Sequence, residues 1–139
     1  MSIKPFIALL LVTAAFCPAV ISADESETEA KKAAEEFLSV IDAGRFGESW
    51  NMAGTYMQRG VSAEMWQRKL KTMRKPLGEL VSRKLKSSKL EKTTLELPGP
   101  EYFKLQFETS FKNKEGAVET VSAAKQADGT QKVIGYFIE

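Results

Sequence analysis

Glu119 is the residue on which an acid–base mechanism in this sequence would rest. Alternation along a strand sets it on one face with Ala117, Val121 and Ala123. A carboxyl group among apolar neighbours is driven toward its protonated form by desolvation, the condition that a general acid or base needs near neutral pH. Arg83, between Val81 and Leu85 on an otherwise apolar face, is its natural partner. If the two meet they form an ion pair that fixes strand register, and a carboxylate so engaged is a poor base. Tyr102 and Tyr136 could donate hydrogen bonds at the mouth of a pocket around Glu119, and Trp50 and Trp66 could line it. The helical spacing of both tryptophans with other apolar residues equally makes them core. The ligand-binding candidates are therefore Arg83, Glu119, Tyr102, Tyr136 and Trp50, with Glu119 the one catalytic candidate.

Other chemistries lack their residues. The chain has no histidine and a single cysteine, Cys17, so the usual nucleophile–base pairs and zinc, haem or thiol sites are excluded. The aspartates, Asp24, Asp42 and Asp128, are scattered, without the clustered oxygen spacing that calcium or magnesium needs. No cofactor is expected. Ser122 and Lys125 match a serine–lysine string, but on a strand they point to opposite faces. Asp42, just before Ala43-Gly44, reads as decoration of a helix end.

Charge is uneven along the chain. Ten basic residues fall between Arg68 and Lys92, against Glu79 and Glu91, whereas Asp24 to Glu48 holds eight acids and three bases. Such a basic flank, through Lys84, Lys86 and Lys89, suits an anionic surface or an acidic partner; equally, it suits a solvated face that pairs with the acidic helix. It lacks the interleaved aromatics on which nucleic-acid bases stack.

Ala30, Ala33, Ala34, Phe37, Leu38 and Ile41 recur at helical spacing and predict a helix from Glu25 to Ala43, stopped by Gly44. Lys31 with Glu35 and Lys32 with Glu36 stand one turn apart on its wet side. A short helix between Phe46 and Ala53 carries Trp50, and a turn region containing Gly54 and Gly60 follows. Ser62 caps a third helix with Met65, Trp66, Leu70 and Met73 as its buried face, ended by Pro76 and Gly78. From Glu79 the period becomes two. Val81, Arg83 and Leu85 share a face, and Tyr102 to Phe111 alternates with Phe103, Leu105, Phe107, Thr109 and Phe111 inward. Ala117–Lys125 and Lys132–Ile138 complete four strands, with turns at Asn113–Gly116 and at Ala127-Asp128-Gly129. Helices first and antiparallel strands afterwards predict an α+β fold, with the helices packed on one face of a four-stranded sheet.

The amino terminus reads as a secretory signal. Lys4 gives a positive start, Phe6 to Phe16 is apolar, and small residues precede the acidic run from Asp24, with cleavage expected after Ala23 and rival cuts after Ala19 or Ser22. Pro18 interrupts a stretch already shorter than the roughly 20 residues of a spanning helix, and Phe16 before Cys17 is too bulky for a lipoprotein site. The 139 residues, 43% hydrophobic and 27% charged, thus divide into a signal peptide, 1–23, and one α+β domain, 24–139. That domain would be periplasmic or secreted, without a transmembrane segment. Removing Lys4 leaves its acids and bases balanced to within one, so net charge points to no polyanion.

The strings AAEEFLSVIDAG, ESW, RKPLG with SRKL, then LPGPEY, FETSF, AVET and GYFIE resemble the bacterial family known as domain of unknown function 4019. The resemblance runs from Ala30 to the carboxyl terminus. It implies a cystatin-like or ketosteroid-isomerase-like fold, in which helices are wrapped by a curved antiparallel sheet forming a cone, and it brings no assigned activity. The expected function is non-enzymatic binding of a small ligand or an envelope partner by the sheet's concave face or the basic flank. The alternative is an isomerase or hydrolase of small organic substrates, with Glu119 as base and Tyr102 or Tyr136 as acid.

Overall fold

The computed structural model describes residues 23–92 and 99–139. The expected leader, apart from Ala23, and Leu97-Pro98 of the LPGPEY string lie outside the described residues. Four helices precede four strands: α1 Ala23–Asp42, α2 Phe46–Asn51, α3 Thr55–Gly60, α4 Ala63–Arg74, a 3-10 turn at Lys75–Leu77, then β1 Leu80–Glu91, β2 Tyr102–Phe111, β3 Lys114–Lys125 and β4 Gln131–Ile138. The strands form one antiparallel meander in the order β1-β2-β3-β4, and α1 lies across β4, β3 and β2. This is the α+β arrangement that the change of period predicts.

α1 forms because one stripe of it is apolar. Ala30, Ala34, Phe37, Leu38 and Ile41 are all buried, while Asp24 and Glu25 sit in the first turn, where the helix dipole favours acids. On its wet side Lys32 meets Glu36, but Lys31 bonds back to Glu27 instead of forward to Glu35. The helix ends in a Schellman turn: Gly44 N–H donates to the Ile41 carbonyl at 2.9 Å and Arg45 N–H to that of Val40 at 3.1 Å, with Gly44 at φ 75°. Asp42 is the last helical residue and is therefore held in a fixed place.

α4 carries two stripes rather than one. Ser62 accepts the Met65 N–H at 3.2 Å, as an N-cap should, and Trp66, Leu70 and Arg74 face inward. Met65, expected inside, is 62% exposed, because the stripe at 66, 70 and 74 has already used the buried arc and position 65 falls beside it. Trp66 Nε1–H donates to Ser49 Oγ at 2.9 Å, and Ser49 donates in turn to the Phe46 carbonyl at 2.6 Å, so one buried hydroxyl joins α2 to α4.

Between them the chain forms α3 where only a turn region was expected. Gly54 opens it and brings the backbone onto β4, with its N–H donating to the Val133 carbonyl at 2.7 Å. A Cβ there would lie 2.9 Å from both Gln126 Nε2 and Ile134 Cγ2, so this approach requires glycine.

In the sheet, Phe103, Leu105, Phe107, Thr109 and Phe111 are buried on the helix side, as the alternation predicts. They meet Phe37, Trp66 and Tyr136, with Phe37 edge-on to Tyr136 at 6.0 Å. Val81 is the exception on β1: a register shift between Leu80 and Ser82 turns it outward, and it is 68% exposed. The β2–β3 turn is also tighter than expected, with Phe111 pairing directly with Lys114 and β3 starting before Gly116. Leu70→Ala should lower stability by about 2–5 kcal/mol, whereas Met65→Ser should change it by no more than about 0.5 kcal/mol. Urea denaturation of the two variants checks this.

Candidate functional site

Six side chains from six elements meet at one buried point. The four strands supply Arg83, Thr109, Glu119 and Tyr136, all on the inner face; α1 supplies Asp42 from its last residue and α4 supplies Arg74 from its own. The register explains the strand contribution. Arg83 lies opposite Thr109, and Glu119 stands two residues beyond the partner of Thr109, Ala117. Tyr136 lies opposite Val121, two residues further along β3. The four therefore form a diagonal row on one face of the sheet.

Each acid accepts three side-chain hydrogen bonds. Glu119 is fully buried; its Oε1 accepts from Arg83 Nε at 2.7 Å and from Thr109 Oγ1 at 2.6 Å, and its Oε2 accepts from the Tyr136 hydroxyl. Arg83 is also bidentate to Asp42, Nη1 to Oδ2 at 2.7 Å and Nη2 to Oδ1 at 2.9 Å, the fork geometry of a strong guanidinium–carboxylate pair. Arg74 Nη2 reaches Asp42 Oδ1 at 2.9 Å, and its guanidinium lies 4.7 Å from the centre of the Phe111 ring. Two carboxylates and two guanidiniums balance to zero charge.

Protonation follows this geometry. Burial pushes the Asp42 carboxyl up, but hydrogen bonds from Arg83 and Arg74, with their charges, outweigh burial and hold it below the ordinary carboxylate range. Burial likewise opposes charge on Arg83, yet Asp42 and Glu119 bind its proton more firmly than water would. Tyr136 is pushed well above an ordinary phenol, first by burial and then by the negative charge of Glu119, so it donates as a neutral group.

Of the residues singled out by sequence, Arg83, Glu119 and Tyr136 come together. Tyr102 does not join them; it opens β2, opposite Glu91 and Ala124, on the sheet face away from Glu119. Trp50 is half-buried on α2 and donates its Nε1–H to the Val61 carbonyl at 2.9 Å, while Trp66 is core beside Phe37. Ser122 lies within β3 and Lys125 at its exposed end. Sequence reasoning missed Asp42 as a partner for Arg83, and it missed Arg74 and Thr109. The signal for Arg74 was its spacing, since 66, 70 and 74 continue one buried stripe.

Shallow hollows on the surface lie elsewhere: between α1 and α2, beside Glu36 and Met52; between α1 and β4; and on α4. Among the described residues no group of three or more His, Cys, Asp or Glu is placed to hold a metal ion. Nor is any described helix long and apolar enough to cross a membrane.

The family model for "protein of unknown function (DUF4019)" matches residues 33–136. The chain belongs to the DUF4019 family. The match spans the second half of α1 through Tyr136, so all six members of the cluster fall inside the DUF4019 region. No curated protein matches the chain.

Arg83→Met leaves the buried Glu119 without a cation and the half-buried Asp42 with Arg74 alone, and should cost about 3–5 kcal/mol. Adding Glu119→Gln should recover part of that loss rather than add to it, as read from a double-mutant denaturation cycle. The Asp42 carboxyl is held below its unfolded value, so its contribution is complete above pH about 4 and is lost as the pH falls further. Tyr136 is held above its unfolded value, so its contribution is complete below pH about 10 and is lost as the pH rises past it. Denaturation midpoints against pH should therefore show a plateau with two falling limbs, the acid limb flattened by Asp42→Asn and the alkaline limb by Tyr136→Phe.

Proposed function

We propose that this DUF4019 chain is an exported, non-catalytic binding domain that works through its outer surface, with its basic flank as the contact for an anionic component of the cell envelope. The reading takes residues 1–23 as a signal peptide and 24–139 as one domain, periplasmic or secreted. It takes the sheet as the cone-like form of the α+β class; register shifts in each pair of strands support that bend.

The observation that carries the reading is the state of Glu119. A base needs access to substrate and a carboxylate not already committed to a cation; Glu119 is ion-paired to Arg83, accepts two further hydrogen bonds and has no exposed surface. Arg83 and Tyr136 are spent on the same cluster, and the Arg74 donors left without a partner, Nε and Nη1, are themselves buried. The acid–base alternative has no specific observation in its favour.

The flank is differently placed. Of its ten cations, Arg74 and Arg83 turn inward to Asp42, while Arg68, Lys69, Lys71, Lys75, Lys84, Lys86, Lys89 and Lys92 are exposed. Exposed cations of one sign attract anionic surfaces over a Debye length. Replacing Lys84, Lys86 and Lys89 by glutamate should abolish retention on vesicles containing phosphatidylglycerol and on envelope fragments. Unchanged retention would remove this reading and return attention to a bound small molecule, detectable by native mass spectrometry of protein taken from its own compartment.

A further inference from the structure

α4 presents a second face that the core does not use. Met65, Arg68, Lys69 and Thr72 lie on the side of the helix away from Leu70, and with Met73, which packs against the core at the border of that face, they line a shallow hollow. Met65 is 62% exposed, an unusual place for a large apolar side chain beside a buried arc that is already complete. Arg68 and Lys69 border it, and Lys71 and Lys75 flank it, all exposed. Glu64 is the one acid on the helix and is bonded to Arg68 at 3.0 Å. The exposed part of this face is thus a thioether with cations on both sides.

We infer that this face of α4 seats the protein on an anionic lipid bilayer, with Met65 entering the acyl boundary and Arg68, Lys69, Lys71 and Lys75 at the level of the phosphates. The inference rests on the anionic-surface reading above and names the element that touches lipid. Charge complementarity selects an anionic partner. A single exposed apolar side chain ringed by cations suits the headgroup plane of a bilayer, where the tip meets acyl chains and the cations meet phosphates. An unbranched methionine adapts to fluid chains better than a branched side chain would.

The test uses protein purified in the form that its cells accumulate. It is sedimented with vesicles of phosphatidylcholine alone and with vesicles in which about a third of the lipid is phosphatidylglycerol, the surface potential of which is worth about 1 kcal/mol per cation. Retention on the anionic vesicles alone is expected, falling roughly fivefold for each cation removed in Arg68→Gln and Lys69→Gln. Met65→Trp, a change at an exposed position, should show quenching by brominated acyl chains beyond that of Trp50 and Trp66 in the parent protein. If the parent protein is retained neither by anionic vesicles nor by envelope fragments, both the reading and this inference fall. If it is retained and is released by the Lys84, Lys86 and Lys89 replacements, while Met65→Trp is not quenched and Arg68→Gln has no effect, the inference falls and the broader reading stands. Binding to envelope fragments that disappears after protease treatment, without binding to pure lipid, would indicate an acidic protein and would also overturn it.

Discussion

One guanidinium shared between two carboxylates organises this protein. Arg83 is hydrogen-bonded to Asp42 on α1 and Glu119 on β3, and through those acids it reaches Arg74, Thr109 and Tyr136. Removing such groups from water is expensive, and a buried ion pair is often no better for stability than well-packed hydrocarbon. Its effect is on alternatives. A strand slip by one residue would send Glu119 to the opposite face, and a shifted helix would leave Asp42 short of both arginines, so wrong arrangements bear the full cost of an unpaired charge. The hydrophobic core around Phe37, Trp66 and Tyr136 supplies attraction; the charged cluster supplies register.

Much of this was legible in the chain itself, and the boundary has a physical reason. Strand periodicity is strictly two, so the inner positions of Glu119, Thr109 and Arg83 could be read from their neighbours, and the pairing of Arg83 with Glu119 followed from two opposite charges on apolar faces. The change from helical to strand period likewise gave the α+β class. Asp42 and Arg74 enter from helices, and no periodicity within a helix says which end of it meets which strand. Tyr102 alternates outward by the same rule that puts Glu119 inward, so it could not share that site without a turn of the sheet. Val81 was misread because a bulge breaks the rule that placed it, and Met65 because a twelve-residue helix can hold one apolar side chain outside its buried arc.

The molecule therefore separates its charges by task. The cations that turn inward, Arg74 and Arg83, are arginines; the planar fork of Arg83 satisfies two carboxylates at once, while Arg74 gives one hydrogen bond to Asp42 and lies over the Phe111 ring. The lysines of β1, Lys84, Lys86 and Lys89, are exposed on a strand at the edge of the sheet. Lysine on an edge strand also discourages pairing with the strand of another molecule, so the same residues that suit an anionic surface keep the sheet from extending itself.

The Arg83–Asp42, Arg74–Asp42 and Arg83–Glu119 contacts join residues 41, 32 and 36 positions apart. Such distant partners meet only after intervening loops have closed, and loop closure is the slow part of forming a sheet protein. A cluster completed after the main barrier contributes little to the rate of folding and much to the rate of unfolding. Were the six side chains to meet only after that barrier, what they set would be chiefly the lifetime of the folded form.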